Sequence, residues 1–397
     1  MGDSYIYKNQ KKLRWGYTTG TCAAAASLAA AVMLLGRTRT EQVSIDTPKG
    51  IRLELEVEDI SMGERRVSCG VRKDAGDDPD VTDGLVVYSS VGIGPKDGQD
   101  TGGYYEYKND EICLRLTGGV GVGTVTKEGL SCEVGKAAIN PVPRQMIFGQ
   151  VEALCSRYGY RGTLWIEISV PGASGVAERT FNSRLGIMGG ISILGTSGMV
   201  EPMSETALLE TIRLEIRQKV LEGNRKMIVT PGNYGEAFLE GTLGIGLDRA
   251  VKCSNFIGST IDMAVEEGAS SILLVGHGGK LVKLAAGIMN THSSAADGRM
   301  EILAAYGAAC GADSGLVNQI LEAITVDEGL RLLETGDGLR GRVMERIMQR
   351  IEEHLKRRAA GRLEIEALVF TNERGILGAT RRAAGMLAYF TGTTGIL

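Results

Sequence analysis

Aromatic residues make up only 5% of this 397-residue sequence, and it contains just three histidines and eight prolines. So few rings leave no series of stacking platforms of the kind that single-stranded nucleic acid requires. The histidines, His277, His292 and His354, stand too far apart for the paired spacing of a helical zinc site. The seven cysteines include no Cys-x-x-Cys pair, the nearest two lying 19 residues apart. An odd, scattered set of thiols argues against a disulfide framework and fits reduced cysteines in a cytosolic enzyme. A charge of one sign is missing as well: 44 Lys and Arg against 48 Asp and Glu leave a net charge of −4. No global positive field draws nucleic acid or anionic lipid, so any anion site must be local.

Glycine, by contrast, is abundant, with 56 residues, about twice the ordinary share of ~7%. Outside low-complexity sequence, that excess indicates tight turns and places where backbone approaches a ligand or another element closely. With 43% hydrophobic and 23% charged residues the chain has an ordinary globular composition, and its length predicts two domains. Lys8, Lys11, Lys12 and Arg14, followed by the apolar run 22–35, imitate a signal peptide. That run is mostly alanine, is separated from the basic residues by a polar stretch, and at 14 residues is too short to span a bilayer. The expected location is cytoplasmic.

Residues 18–36 read as a helix, with Thr18, Thr19 or Thr21 as cap, an alanine body, and Gly36 past the end; its N-terminus reads as open. Residues 42–46 and 51–57 read as a hairpin with one wet face, and further short strands are expected at 65–72, 84–90, 112–117 and 164–170, an α+β pattern. From about Pro171 helices at 205–221, 253–267 and 281–290 alternate with strands at 226–230 and 271–275, which indicates a parallel sheet with crossover helices. Helical stretches at 316–335 and 339–358 and a late strand at 363–370 follow. The expected division is 1–170 for an α+β domain and 171–397 for an α/β domain, with the C-terminal segment free to pack back on the first.

Four segments could carry chemistry. Thr18-Thr19-Gly20-Thr21, opening the alanine helix, offers bare amides and a helix dipole to a carboxylate or phosphate, although simple capping explains the same residues. Residues 74–83 hold five aspartates. They do not fit a calcium loop, because Pro79 stands where glycine is needed, so they form either a solvated turn or a place where Asp77 or Asp78 takes a proton or orients a ligand. The glycine-punctuated run 185–204 lacks the dinucleotide spacing and serves equally well as a buried connection or a ligand wall. The fourth comprises two strand-end loops, one around Gly232 and Asn233, the other Gly276-His277-Gly278-Gly279-Lys280. Ligands collect beyond the carboxyl ends of parallel strands, so these loops are the expected cofactor wall.

Together these segments resemble the CbiD-type cobalt-precorrin-5B (C1)-methyltransferase family of anaerobic cobalamin biosynthesis. The matching strings are RWGYTTGTCAAAA from Arg14, KDAGDDPDVT from Lys73, GGISILGTSGMVEPMS from Gly189, TPGNYG from Thr230, SNFIG from Ser254, VGHGGKLVKLAAGIMNTHS from Val275 and FTNERGILG from Phe370. The resemblance spans Arg14 to Gly378. It implies methylation at C-1 of cobalt-precorrin-5B to give cobalt-precorrin-6A, with S-adenosylmethionine as methyl donor. It also implies a two-domain α/β and α+β fold, an α+β domain beside a Rossmann-like three-layer α/β domain, unlike the usual tetrapyrrole methylases. Cobalt would arrive inside the substrate, so no protein-bound metal is expected.

Such a substrate carries many carboxylates, which a net-acidic protein must meet with local cations. Arg14, Lys73, Lys280 and Lys283, with the helix start at Thr18, Thr19, Gly20 and Thr21, are the candidates. If a base is needed, Asp77, Asp78 or His292 could serve. The expected partner is the small-molecule corrinoid, with no nucleic acid and no membrane, and a homodimer is left open. One rival is a phosphoryl-transfer enzyme using the TTGT and VGHGGK loops as phosphate cradles, although Leu281 after Lys280 removes the magnesium hydroxyl. The other is a non-catalytic corrinoid-binding protein.

Overall fold

The computed structural model describes residues 5–8, 10–95, 102–178, 180, 182–183 and 185–392. The chain is mixed α/β and divides into two compact units, Met1–Glu205 and Thr206–Leu397. The division falls at Glu205, not at Pro171. The intervening segment belongs with the first unit because its short strands Ile187–Met188 and Met199–Val200 pair with Thr124–Val125 and Gly16–Tyr17.

The first unit is built on a six-stranded sheet, in the order Glu58–Met62, Arg66–Arg72, Val86–Gly92, Gly162–Ser169, Ile112–Gly118, Tyr105–Lys108. Only the pair 112–118 with 162–169 is parallel, and a crossover containing the helix Pro141–Tyr158 joins those two strands. That helix was not anticipated; Pro at its first turn and Gly159 in the left-handed conformation just past its end mark it. The alanine helix Thr19–Gly36 packs against it and against the strands 66–72 and 86–92. Small side chains permit this depth: Cys22, Ala23 to Ala26 and Ala29 to Ala31 are fully buried. Ser27 donates to Ser89 at 2.8 Å, and the Cys69 thiol donates to the Ala26 carbonyl. By length and composition this helix could cross a membrane, but most of it is buried inside the unit. Arg37, not Gly36, takes the left-handed position after it, at φ 59°.

The second unit is a five-stranded sheet in the order Ala250–Lys252, Lys226–Thr230, Ser271–His277, Glu364–Thr371, Gly375–Ala379. Its first four strands are parallel and the last is antiparallel. Side chains alternate across it. Met227, Val229, Ile272, Leu274, Ile365 and Ala367 face the helices Glu205–Leu221, Ile257–Glu266 and Leu339–Ala359. Ile228, Leu273, Val275, Leu368 and Phe370 face Asn233–Gly241 and Ala383–Thr391. Helices on both faces of a mostly parallel sheet make three layers. The C-terminal helix Ala383–Thr391 packs on its own unit's strands.

Two expected helices differ in detail. Residues 316–335 form two, Ser314–Glu322 and Val326–Leu333, because Thr325 caps the second and accepts from the Glu328 amide. The helix expected at 281–290 is only one turn, Gly278–Leu281, followed by the 3-10 segment Val282–Ala286, which Gly287 ends in the left-handed conformation.

Candidate functional site

In the first unit the expected anion cradle is closed. Thr18 caps the alanine helix by accepting from the Thr21 amide at 3.2 Å. The Gly20 amide donates to the Leu194 carbonyl at 3.0 Å, and the Thr21 hydroxyl donates to the Gly198 carbonyl at 2.7 Å. Thr19 accepts from the Leu194 amide at 3.0 Å. Thr18, Thr19 and Thr21 are all buried. A Cβ on Gly195, whose φ is 134°, would stand 2.3 Å from the Thr18 hydroxyl oxygen. The run 190–198 is thus a plug seated on the helix start, and it engages Thr18, Thr19, Gly20 and Thr21 in hydrogen bonds within the unit.

The aspartate loop is likewise occupied with holding itself. Arg14 forks both carboxylate oxygens of Asp74, at 2.6 and 2.8 Å. Asp77 accepts the Arg14 amide at 2.6 Å, Asp78 the Met203 amide at 2.8 Å, and Asp83 the Ala75 amide at 2.7 Å. Lys73, only 3% exposed, donates to Asp80 at 2.6 Å, and Asp80 also accepts from Thr82. Burial alone would raise the Asp80 carboxyl, but the Lys73 ammonium and these hydrogen bonds outweigh it and hold the group below its usual value. Lys73 is therefore a buried structural cation, not a free hand for substrate. Asp77 and Asp78 keep one oxygen each on backbone amides.

In the second unit the two glycine loops lie at the carboxyl edge of the sheet. The first strand, Lys226–Thr230, lies between the second, Ala250–Lys252, and the third, Ser271–His277, so the chain reverses its direction of build-up beside it. In sheets of this kind ligands bind beyond the strand ends beside such a reversal. The loops Thr230–Asn233 and Gly276–Lys280 meet there. A Cβ on Gly276 would stand 3.0 Å from Pro231 and Leu281, and one on Gly232 3.3 Å from the Lys280 ammonium. Gly232 has φ 104° and ψ −172°, a region open only to glycine.

His277 accepts the Gly279 amide on Nδ1 at 3.1 Å, which leaves the ring's proton on Nε2. Burial lowers its pKa and Asp327 opposes that effect, so the ring is a neutral donor near pH 7. It sits between Tyr234, at 5.4 Å, and Phe370, at 5.7 Å. Tyr234 is 63% exposed. Asn233 accepts from Lys252 at 2.6 Å, and Lys252 also pairs with Glu236 at 2.7 Å. The Thr230 hydroxyl is fully buried and has no hydrogen-bond partner. Lys280 is half-buried.

Lys283 lies close enough to Lys280 to repel its charge. Lys283, 2% exposed, donates to the carbonyls of Thr291 and Ala296 at 3.1 and 2.8 Å and so anchors the segment 291–297. His292 is exposed, with Nδ1 bonded to Ser294. Sequence reasoning missed Thr230, Tyr234 and Lys252. The first two lie inside the TPGNYG string, but Lys252 enters only because the second strand pairs Lys252 with Thr230. Among the described residues no three His, Cys, Asp or Glu side chains gather as metal ligands.

Comparison with known proteins places this arrangement. The family model described as CbiD matches residues 6–202, and that described as CbiD, C-terminal domain, matches 290–381. A cobalt-precorrin-5B C(1)-methyltransferase of Ruminiclostridium cellulolyticum is 50% identical over 370 residues, covering 93% of this chain and 92% of that protein. One of Alkaliphilus metalliredigens is 44% identical and covers 97% of each. A solved structure of a cobalamin biosynthesis protein (cbiD) from Archaeoglobus fulgidus is 25% identical, covers 71% of this chain and 83% of that one, and superposes with a TM-score of 0.37. With family models matching within each unit and 50% identity over 370 residues to a relative covered to 92%, the chain belongs to the CbiD family.

Proposed function

We propose that the chain methylates C-1 of cobalt-precorrin-5B, giving cobalt-precorrin-6A in anaerobic cobalamin biosynthesis, with S-adenosylmethionine as donor. The observation that carries this reading is the 50% identity, over nearly the full length of both chains, to a protein of that name. The second unit, read as Rossmann-like from its three layers and strand order, is the donor-binding half. The carboxyl edge of its sheet suits a small polar ligand: thin backbone at Gly232, Gly276, Gly278 and Gly279, a neutral donor in His277, the Asn233 amide group, and a buried hydroxyl on Thr230 that lacks a partner.

Bound there, the donor supplies an electrophilic methyl group on a sulfonium sulfur. Its transfer is an in-line displacement, so the chain's task is chiefly to hold donor and ring carbon in register. Such positioning is worth about 7–11 kcal/mol when the reacting atoms are kept near ~3–3.5 Å. The glycine loops let backbone come close enough to fix the donor. Tyr234 and Phe370 flank His277 and hold its ring in place. On this reading the protein works in the cytoplasm on a small-molecule corrinoid that carries its own cobalt, without nucleic acid or membrane.

Anaerobic incubation with cobalt-precorrin-5B and S-adenosylmethionine should raise the macrocycle's mass by one methyl group. An unchanged mass with both reactants present would reject the assignment. No observation favours phosphoryl transfer, because the Thr18 and Gly20 amides are taken by carbonyls, the Thr21 amide by the Thr18 hydroxyl, and Leu281 follows Lys280.

A further inference from the structure

Lys280, at the carboxyl edge of the second unit's sheet, is a cation for which the described residues offer no counter-charge. Its ammonium is half-buried, yet among the described residues it has neither a hydrogen bond nor a carboxylate in salt-bridge range. The other cations nearby are committed: Lys252 to Asn233 and Glu236, and Lys283 to the carbonyls of Thr291 and Ala296. The acidic group that acts on it is Cys253, and burial pushes that thiol up to about 12, so it stays neutral and offers no counter-charge. Burial, with Lys252 and Lys283 adding repulsion, lowers the Lys280 pKa. A desolvated cation without a counter-ion is costly unless a ligand supplies the anion.

The position of this cation selects the anion. The Lys280 ammonium lies beside Gly232, 3.3 Å from where a Cβ would stand, at the loop that leaves the first strand. Two residues earlier the Thr230 hydroxyl is buried and unpartnered. A macrocycle carries its carboxylates on flexible arms suited to an exposed rim, whereas a half-buried ammonium at a thinned backbone suits one carboxylate on a small ligand at the strand ends. The sulfonium of the donor is itself positive and is repelled by Lys280. The amino-acid end must therefore face Lys280 and the sulfonium must point away from it.

We infer that Lys280 holds the amino-acid carboxylate of the methyl donor, with Gly232 giving it room, and that it is a donor residue, not a corrinoid residue. The inference rests on the reading that this unit binds S-adenosylmethionine. Calorimetric titration of the full chain with S-adenosylmethionine and with its decarboxylated analogue separates the two claims. Wild type should prefer the carboxylated donor at least tenfold. Lys280→Met should lower affinity for S-adenosylmethionine about 10- to 100-fold, in line with a lost charge-assisted hydrogen bond, and leave the decarboxylated analogue within about threefold. Corrinoid affinity should be unchanged, and thermal unfolding of Lys280→Met should come no earlier than in wild type. Lys280→Gln serves as a second variant, with the same selectivity loss expected. Equal wild-type affinity for the two donors, or variants that weaken both donors alike or weaken only the corrinoid, would overturn the inference while leaving the donor reading in place. Binding of neither donor by wild type would defeat that reading itself.

Discussion

Replacing Lys73 by methionine should destabilise the first unit severely and leave ligand contacts alone, the opposite of what a substrate-binding lysine predicts. The Lys73 side chain is 2% exposed and that of Asp80 26%, with 2.6 Å between ammonium and carboxylate. Removing one partner of such a buried pair strands the other, at a cost of about 3–5 kcal/mol. For a unit of this size each kcal/mol moves the unfolding midpoint by about 2–4 °C, so Lys73→Met should unfold roughly 6–20 °C earlier. Asp80→Asn should cost a comparable amount, and the double variant should lose less than the sum, by about 1–3 kcal/mol, because the partners are coupled. The pH dependence has a definite sign. The Asp80 carboxyl titrates lower in the folded chain than in the unfolded one, so its stabilisation is complete above the unfolded value of about 3.9 and is lost as pH falls through the folded value. The gap between wild type and Asp80→Asn should therefore be full near neutrality and close in acid. Urea titrations of the four proteins across pH make the measurement. Additive single costs, or a Lys73→Met protein of wild-type stability with weakened corrinoid binding, would refute the structural role.

Three further outcomes follow from other sites. Gly195→Ala forces a Cβ within 2.3 Å of Thr18 at a φ of 134°, so strain and overpacking together should cost about 2–6 kcal/mol in urea unfolding, and a loss under about 1 kcal/mol would contradict the seating of the plug. Gly232→Ala should weaken donor binding at least about tenfold while unfolding stability falls by no more than about 1–3 kcal/mol; unchanged affinity would remove this loop from the donor wall. Burial pushes the thiols of Cys22, Cys69 and Cys253 up to about 12 and that of Cys155 to about 11, and Cys132 is also buried. A small alkylating reagent should therefore modify only Cys113 and Cys310 in the folded protein. Labelling of any other cysteine, read by peptide mass spectrometry, would dispute the core as described.

Much of the fold was legible because its signals are local. The Thr18 cap and alanine body announce the first helix, and apolar runs at 226–230 and 271–275 announce parallel strands, since both rest on residues adjacent in sequence. The helix 141–158 was hidden by its start: Pro141 and Pro143 read as a turn until the helix that follows is seen. The closing of the alanine helix could not be read at all. Its amides look free in sequence because their acceptors, the carbonyls of Leu194 and Gly198, lie well over a hundred residues downstream.

Lys280 and Lys283 make the same point about the site. Three residues apart in one glycine-rich string, they are indistinguishable by type and spacing. What separates them is tertiary: the segment 291–297 folds over Lys283 and supplies two carbonyls, while nothing among the described residues does so for Lys280. The same contrast holds between the units. In the first, Lys73, the Arg14 guanidinium and the five loop aspartates all answer one another or the backbone, so their crowding is explained without a ligand. In the second, a cation and a hydroxyl remain unanswered beside a backbone conformation that only glycine tolerates. Buried polar atoms without a hydrogen-bond partner also occur in the first unit, on Trp15 and Arg144, so it is an unmatched cation beside thinned backbone that marks this loop. On the reading proposed above, the donor supplies the anion that this cation lacks.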